Sequence, residues 1–392
     1  MLVLISLAAA FAPGSFDDAG LVLRPAESSI FAAGVGAPAV EWDGEQFVMF
    51  FESPAPSAQA PVGCGGAYQI GRATSPDGLL WTVDETPAFT FGGEPGGTRY
   101  CSVAQPSVLF DGTLWNLFWS SSREPAEGTT TNQPTGIGWA TSADGLNWTV
   151  QAETLIPYKG TPMGLASTTA VNGLVYLAWS EYPDLFIISR PSTGGAWSAP
   201  MLVVDHLLVG DWASEWALGP SLLCDVGGDA ALGMMFAGDS SSTGERSLAW
   251  ASSTDGSNWT VDAGSPLTGG TLDYGSLNHW ELLRFTDSGS VLWYSRTDEE
   301  SGLKAIGAAF AGTPTGEPEP RLCPNPYLEE DDTGDTGTPG DSGTVDSGDT
   351  AANDDSGGKS DPDDCGCNAG SKATAPGLLT LGLALLRRRR RA

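Results

Sequence analysis

Apolar positions along this chain fall in short runs, not in helical periods. Phe47-Val48-Met49-Phe50-Phe51, Leu114-Trp115-Asn116-Leu117-Phe118-Trp119, Val175-Tyr176-Leu177-Ala178-Trp179, Met234-Met235-Phe236 and Val291-Leu292-Trp293-Tyr294 each read as a short buried strand. Every run follows a related lead-in. Two of these, Pro38 to Gly44 and Pro106 to Gly112, share Pro-x-Val-x-x-Asp-Gly, and Thr169 to Gly173, Pro220 to Asp225 and Glu281 to Phe285 are looser copies. A second pattern, Ser-x-Asp-Gly-x-x-Trp-Thr-Val, closes three of the units at Ser75 to Val83, Ser142 to Val150 and Ser253 to Val261. Asp-Gly supplies the positive φ of a tight hairpin, and the following Trp can pack back over the strand before the turn. Trp81 and Trp148 are 67 residues apart but Trp148 and Trp259 are 111 apart, about two repeats, so a decayed copy is expected between them at Ser192 to Trp197. A fifth copy keeps only Ile306-Gly307-Ala308-Ala309.

Each unit is then strand, Asp-Gly turn, strand, loop, strand, Asp-Gly turn, strand. Four antiparallel strands repeated five times predict an all-β chain, a five-bladed β-propeller of four-stranded antiparallel blades. Closing the ring removes open sheet edges, and Leu21-Val22-Leu23 can complete the last blade as an N-terminal strand. Trp81, Trp148, Trp197 and Trp259 are expected in equivalent outer-strand positions.

Composition divides the rest. The 392 residues carry a net charge of −30. Residues 1–312 hold 33 acids and 10 bases, residues 313–364 hold 15 and 2, and residues 365–392 hold 6 bases and no acid. So acidic a fold repels phosphate backbones, which excludes nucleic acid as a partner. Residues 1–12 read as a secretory signal without the usual basic start. Residues 13–312 form the propeller, and residues 313–364, rich in Asp, Gly, Thr and Ser, a disordered acidic linker. Export permits disulfides. Of six cysteines, Cys64 with Cys101 is the preferred pair and Cys224 with Cys323 the second choice; spacing alone does not fix connectivity. No Cys/His spacing fits a zinc site, and no cofactor is implied.

Residues 365–392 contain Cys365-Gly366-Cys367, an apolar run from Ala373 to Leu386, and Arg387 to Arg391. This order resembles the C-terminal surface-sorting tails of the MYXO-CTERM type. The resemblance implies export to the cell envelope or surface, with membrane contact through the tail before sorting machinery processes it.

The repeat units over residues 28–312 resemble the five-bladed glycosidases of the arabinanase and β-xylosidase type, glycoside hydrolase family 43. The likeness rests on blade count, the Pro-x-Val-x-x-Asp-Gly openings and the Ser-x-Asp-Gly-x-x-Trp turns, which are also similar to the Asp-box of sialidases. It implies three carboxylates on inner strands at the tunnel mouth, serving as acid and base across a glycosidic bond. At the matching places this chain has Ala37, Ala166 and Leu218, none of which can transfer a proton. Other residues near the mouth pair aromatic faces with polar groups, as a sugar site requires: Arg99 and Tyr100 before the second inner strand; Asp211, Trp212, Glu215 and Trp216 before the fourth; Asp273, Tyr274, His279 and Glu281 around the fifth. The repetition of Asp77, Asp144 and Asp255 points to turn chemistry. Three readings follow: a glycosidase-like propeller that binds carbohydrate without the family acids, an active glycoside hydrolase using displaced carboxylates such as Asp211, Glu215 or Glu281, or a protein-interaction or structural module. Fold alone does not choose among them.

Overall fold

A computed structural model describes residues 15–26, 29–127, 129–224, 231–262, 267, 270–286, 289–314, 318–319 and 323. The chain divides after Asp332, and all of these residues lie in the first unit. The signal-like start and the sorting-like tail lie outside the described residues, as does the linker apart from residues 313–314, 318–319 and 323.

The described residues form five four-stranded antiparallel sheets. The first blade comprises β2 (Gly36–Trp42), β3 (Phe47–Pro54), β4 (Tyr68–Ser75) and β5 (Thr82–Val83). The second comprises β6 (Ser102–Phe110), β7 (Trp115–Arg123), β8 (Gln133–Ser142) and β9 (Thr149–Pro157). The third comprises β10 (Met163–Val171), β11 (Leu174–Glu181), β12 (Asp184–Pro191) and β13 (Met201–Val204), and the fourth β14 (Trp216–Cys224), β15 (Leu232–Asp239), β16 (Arg246–Ser253) and β17 (Trp259–Val261). In the fifth, β18 (His279–Arg284), β19 (Ser290–Thr297) and β20 (Lys304–Ala311) are completed by β1 (Asp17–Leu23), which pairs antiparallel with β20. The ring therefore closes through the N-terminal strand, as the sequence predicts. The Asp18 carboxylate accepts from the Tyr294 hydroxyl and pairs with Arg296 at 2.9 Å, fastening β1 to β19.

The first strand of each blade packs against the first strands of its two neighbours, with β18 meeting β2 to complete the ring. Four of these inner strands carry the same irregularity. Pairing skips residues 37–38, 105–106, 165–166 and 219–220, and the first residue of each pair is left-handed: Ala37 (φ 45°), Gln105 (50°), Leu165 (50°) and Gly219 (64°). Pro38, Pro106 and Pro220 fill the second position, where a missing N–H costs nothing because the ladder is already interrupted. β18 pairs without interruption.

The repeated turns share one bonding scheme. Gly78 N donates to Ser75 Oγ at 2.9 Å, Ser75 Oγ donates to Asp77 Oδ1, and Asp77 Oδ1 accepts from the Leu79 and Leu80 amides. The same set recurs at Ser142-Asp144-Gly145 and at Ser253-Asp255-Gly256. Amide donors hold these carboxylates in the charged form: Asp255 falls to about 2, its Asn258 amide the largest cause, and Asp144 falls further, led by Asn147. The recurrent aspartates thus close turns, as their repetition implies.

The tryptophans after the turns bind blades together. Trp81 lies edge-on to Trp293 of the fifth blade at 6.3 Å, Trp148 to Phe50 of the first at 5.7 Å, and Trp197 to Phe118 of the second at 5.9 Å. Packing back over the preceding strand is therefore only part of their role. Trp259 opens β17, while Trp81 and Trp148 immediately precede β5 and β9. Trp197 sits four residues ahead of β13 and outside any strand, so it does not take the equivalent outer-strand position the sequence predicts. Its neighbour Ser198 still bonds to Ser189 of β12 in both directions, at 2.8 and 3.0 Å.

Both expected disulfides are present, Cys64–Cys101 and Cys224–Cys323, with Cα–Cα distances of 5.5 and 5.9 Å. Contacts with the blades continue past Gly312. Pro318 bridges Phe285, Glu319 pairs with Arg284, and Cys323 N donates to Ala170 O.

Candidate functional site

The four interrupted strands bring their left-handed residues together with His279, the first residue of β18, on the propeller axis. Ala37, Gln105, Leu165, Gly219 and His279 surround a cavity of about 20 Å³, which is room for roughly one water. Gln105 organises this plug. Its Oε1 accepts from Ser120 Oγ at 2.9 Å and from Leu165 N at 3.2 Å, so its Nε2 faces His279 Nε2 at 3.2 Å. An amide NH₂ donates, hence His279 Nε2 accepts and the ring proton sits on Nδ1. Nδ1 is buried and has no hydrogen-bond partner among the described residues. Burial is the main cause that lowers His279 to about 4; Glu52 opposes the shift, and Lys304 and Arg246 add to it. Glu52 ties three blades here, accepting from Gln105 N at 3.2 Å and from Lys304 Nζ at 3.3 Å. Gly219 has no side chain for a steric reason too, since Trp280 fills the space a Cβ would need.

Beside the plug a second cavity of about 250 Å³ opens between the third and fourth blades, sharing Gln105 and Leu165 with the first. Tyr182 and Trp216 meet edge to face at 4.4 Å on its wall, with Met163 and Leu218 nearby. Arg246 also lines it, but grips Asp239 through Nε and Nη2 at 2.7 and 2.8 Å and donates to Leu277 O at 2.6 Å. Among the described residues, no Asp or Glu lines this cavity.

Of the residues singled out in the sequence, His279 and Glu281 line the axial cavity and Trp216 the side pocket. Glu281 is only 3% exposed and accepts from Ser221 Oγ at 2.8 Å, beneath a space too small for a sugar. The others lie elsewhere. Arg99 pairs with Glu153 at 3.0 Å and sits over Phe89, and Tyr100 donates to Val62 O; neither lines the axial cavity or the side pocket. Trp212 packs on Phe236 at 5.8 Å, behind the wall, while Asp211 and Glu215 are exposed and line neither space. Asp273 caps a short 3₁₀ turn, and the Tyr274 hydroxyl accepts from Phe16 N at 3.2 Å to hold the N-terminal segment. The bulge register also corrects one alignment. Leu165, not Ala166, is the third-blade counterpart of Ala37, and Ala166 takes the place of the prolines. In the fourth blade the counterpart of Ala37 is Gly219, with Leu218 still paired to Ala237. Sequence reasoning missed Gln105, Glu52, Lys304, Tyr182 and Arg246. Only Gln105 carried a signal, standing before Pro106 as Ala37 stands before Pro38.

Among the described residues, Asp184, Asp205 and His206 bring ligand atoms within 4.8 Å of one another. Their internal bonding accounts for this: His206 Nδ1 and N both reach Asp184 Oδ1, and Asp205 caps the turn at Leu207 N.

No protein-family model matches the chain, and no curated protein matches it. Solved structures do. The catalytic domain of the GH62 α-L-arabinofuranosidase of Coprinopsis cinerea superposes with a TM-score of 0.53 at 13% identity, covering 78% of this chain and 99% of that one. The α-L-arabinofuranosidase of Podospora anserina, solved with cellotriose, gives 0.54 at 14%, covering 77% and 98%. The β-1,2-mannobiose phosphorylase of Listeria innocua, solved with β-1,2-mannobiose, gives 0.54 at 12%, covering 74% and 94%. The chain is a five-bladed propeller whose structural neighbours include glycoside hydrolases. At these identities the likeness is one of fold.

Proposed function

We propose that this protein is a surface-anchored, glycosidase-like propeller that binds carbohydrate at the mouth of its axis and does not hydrolyse it by the mechanism of the family 43 enzymes its sequence resembles. The observation that carries this reading is the side pocket: an aromatic pair, Tyr182 and Trp216, faces a space of about 250 Å³ with no carboxylate among the described residues that line it. A sugar ring offers a C–H face for such a wall, while an acid and a base on opposite sides of the bond are what hydrolysis needs. Ala37, Leu165 and Leu218 at the inner strands support the non-hydrolytic half. Neighbours solved with cellotriose and mannobiose support a sugar as the class of ligand.

Anchoring rests on the sequence: the apolar start at residues 1–12, and the Cys, apolar and Arg blocks of residues 365–392. Fractionation should place the full chain in the envelope, and removing residues 365–392 should release it. Cys365→Ser with Cys367→Ser should impair attachment if the tail is processed, whereas a plain apolar anchor needs neither cysteine. A cytosolic full-length protein contradicts the export reading.

Purified protein screened on a glycan array and against aryl-glycosides tests the functional half. Binding without turnover is expected. Turnover abolished by Glu215→Gln establishes a displaced-acid hydrolase instead, and silence on the array with a protein partner recovered favours an interaction module.

A further inference from the structure

The side pocket sorts ligands by more than shape. Its lining sets a few polar side chains, Gln105, Ser180, Tyr182 and Arg246, against an apolar wall. Gln105 Oε1 accepts two hydrogen bonds, from Ser120 Oγ and Leu165 N. Ser180 Oγ accepts from Gly219 N at 2.8 Å, leaving its own proton to give. Arg246 is neutralised by two bonds to Asp239 yet keeps N–H groups that are not used in those bonds or in the one to Leu277 O. Tyr182 N is tied to Pro162 O at 2.9 Å, so the rim backbone is also engaged. Against these polar groups stand Met163, Leu165, Leu218 and Trp216, all partly exposed at the pocket. Leu165 holds a left-handed backbone (φ 50°) that β-carbon-bearing residues rarely adopt, and that conformation places it where both cavities meet.

A hydroxyl is both donor and acceptor. Against the side chains of Met163, Leu165 and Leu218 it finds no hydrogen-bond partner, and a buried unpaired polar group is costly. Replacing that hydroxyl by hydrogen, or capping it with a methyl group, removes the unpaired group and adds apolar surface for the leucines and Met163. A carboxylate fares no better, because the nearby guanidinium already has its counter-ion and the fold as a whole is strongly acidic.

We infer that the pocket between the third and fourth blades selects an uncharged, methyl-bearing sugar unit, a 6-deoxyhexose or a methyl ether, over its fully hydroxylated parent. This rests on the carbohydrate reading above. The juxtaposition of Leu165, Leu218 and Met163 with the polar groups of Ser180, Tyr182 and Arg246 provides the discrimination.

Matched pairs isolate the effect: L-rhamnose against L-mannose, L-fucose against L-galactose, and 3-O-methyl-D-glucose against D-glucose, each titrated into the full chain by NMR, with D-glucuronate as the charged comparison. In at least one pair the methyl-bearing member should bind about tenfold more tightly, the range one methyl-sized group commands in an apolar site. Leu165→Asn keeps a residue that tolerates the left-handed backbone and should cut that ratio to about threefold or less, with thermal unfolding confirming an intact fold. Met163→Ser, at the open end of β10, makes the same test if Leu165→Asn does not fold. Equal affinities within every pair, or glucuronate binding most tightly, overturn the inference and leave the carbohydrate reading standing. If none of the sugars binds while the array is positive, the inference alone fails; if the array is silent as well, both fail.

Discussion

At the scale of single residues, the turn glycines do two jobs that substitution can separate. Gly145 and Gly256 have nearly the same backbone, φ 69° and 74°, so alanine costs each about 1–2 kcal/mol of left-handed strain. They differ in what lies opposite. A Cβ at Gly145 would find Phe50 at 3.4 Å, an ordinary contact, whereas one at Gly256 would lie 2.5 Å from the Tyr176 ring of the third blade. Gly256→Ala should therefore destabilise by a further 1–3 kcal/mol, about the cost of overpacking. Chemical denaturation of the two variants checks this, and equal losses would show that blade-to-blade packing at the turn does not matter. The Asp-Gly motif announced the turn, but the second role was not legible, because the aromatic that fills the space comes from another blade.

His279 makes a prediction in pH. Its folded value lies near 4, below the ordinary 6.5, so above pH 6.5 both folded and unfolded states are neutral there and it contributes no pH dependence. Between about 6.5 and 4 the unfolded chain takes up a proton that the folded chain refuses, and stability falls as pH drops. The loss should reach about 2–3 kcal/mol near pH 4. His279→Gln should flatten that part of the stability–pH curve; an unchanged slope would contradict the neutral, Gln105-bonded ring.

At the scale of elements, the repeat made the blades legible, and the physics explains where it stopped. The apolar runs that became β3, β7, β11, β15 and β19 are the second strand of each blade, packed on both faces, and burial on both faces writes an unbroken apolar stretch. The inner strands were harder to read at their most informative point. A bulge shifts register by one residue, so the side chain that faces the axis cannot be counted off from a motif, and Ala166 was placed where Leu165 stands. Loop residues fared worst. Arg99, Asp211 and Glu215 looked like site residues because they precede inner strands, yet Arg99 pairs with Glu153 of β9 and the two acids are exposed outside both cavities.

Closure by β1 carries its own test. Without residues 15–23 the strand β20 loses its partner and presents an open edge. That truncation should lower the unfolding midpoint and drive association, read by size-exclusion chromatography. A monomer with unchanged stability would mean that the Asp18 contacts to Tyr294 and Arg296 do not fasten the ring.

At the scale of the whole molecule, the propeller supplies a closed ring, blocks its own axis with Gln105 and His279, and leaves an aromatic pocket to one side. With 33 acids against 10 bases in residues 1–312, long-range charge disfavours anionic ligands, so affinity for a neutral glycan should change little between low salt and about 0.5 M. The most direct test of the account compares two tryptophans four residues apart. Trp216 lines the pocket against Tyr182; Trp212 packs on Phe236 behind the wall. The affinity of the glycan with the strongest array signal should fall about tenfold in Trp216→Ala. In Trp212→Ala, affinity should hold while the unfolding midpoint drops. Affinity unchanged in Trp216→Ala would contradict the claim that this pocket binds carbohydrate.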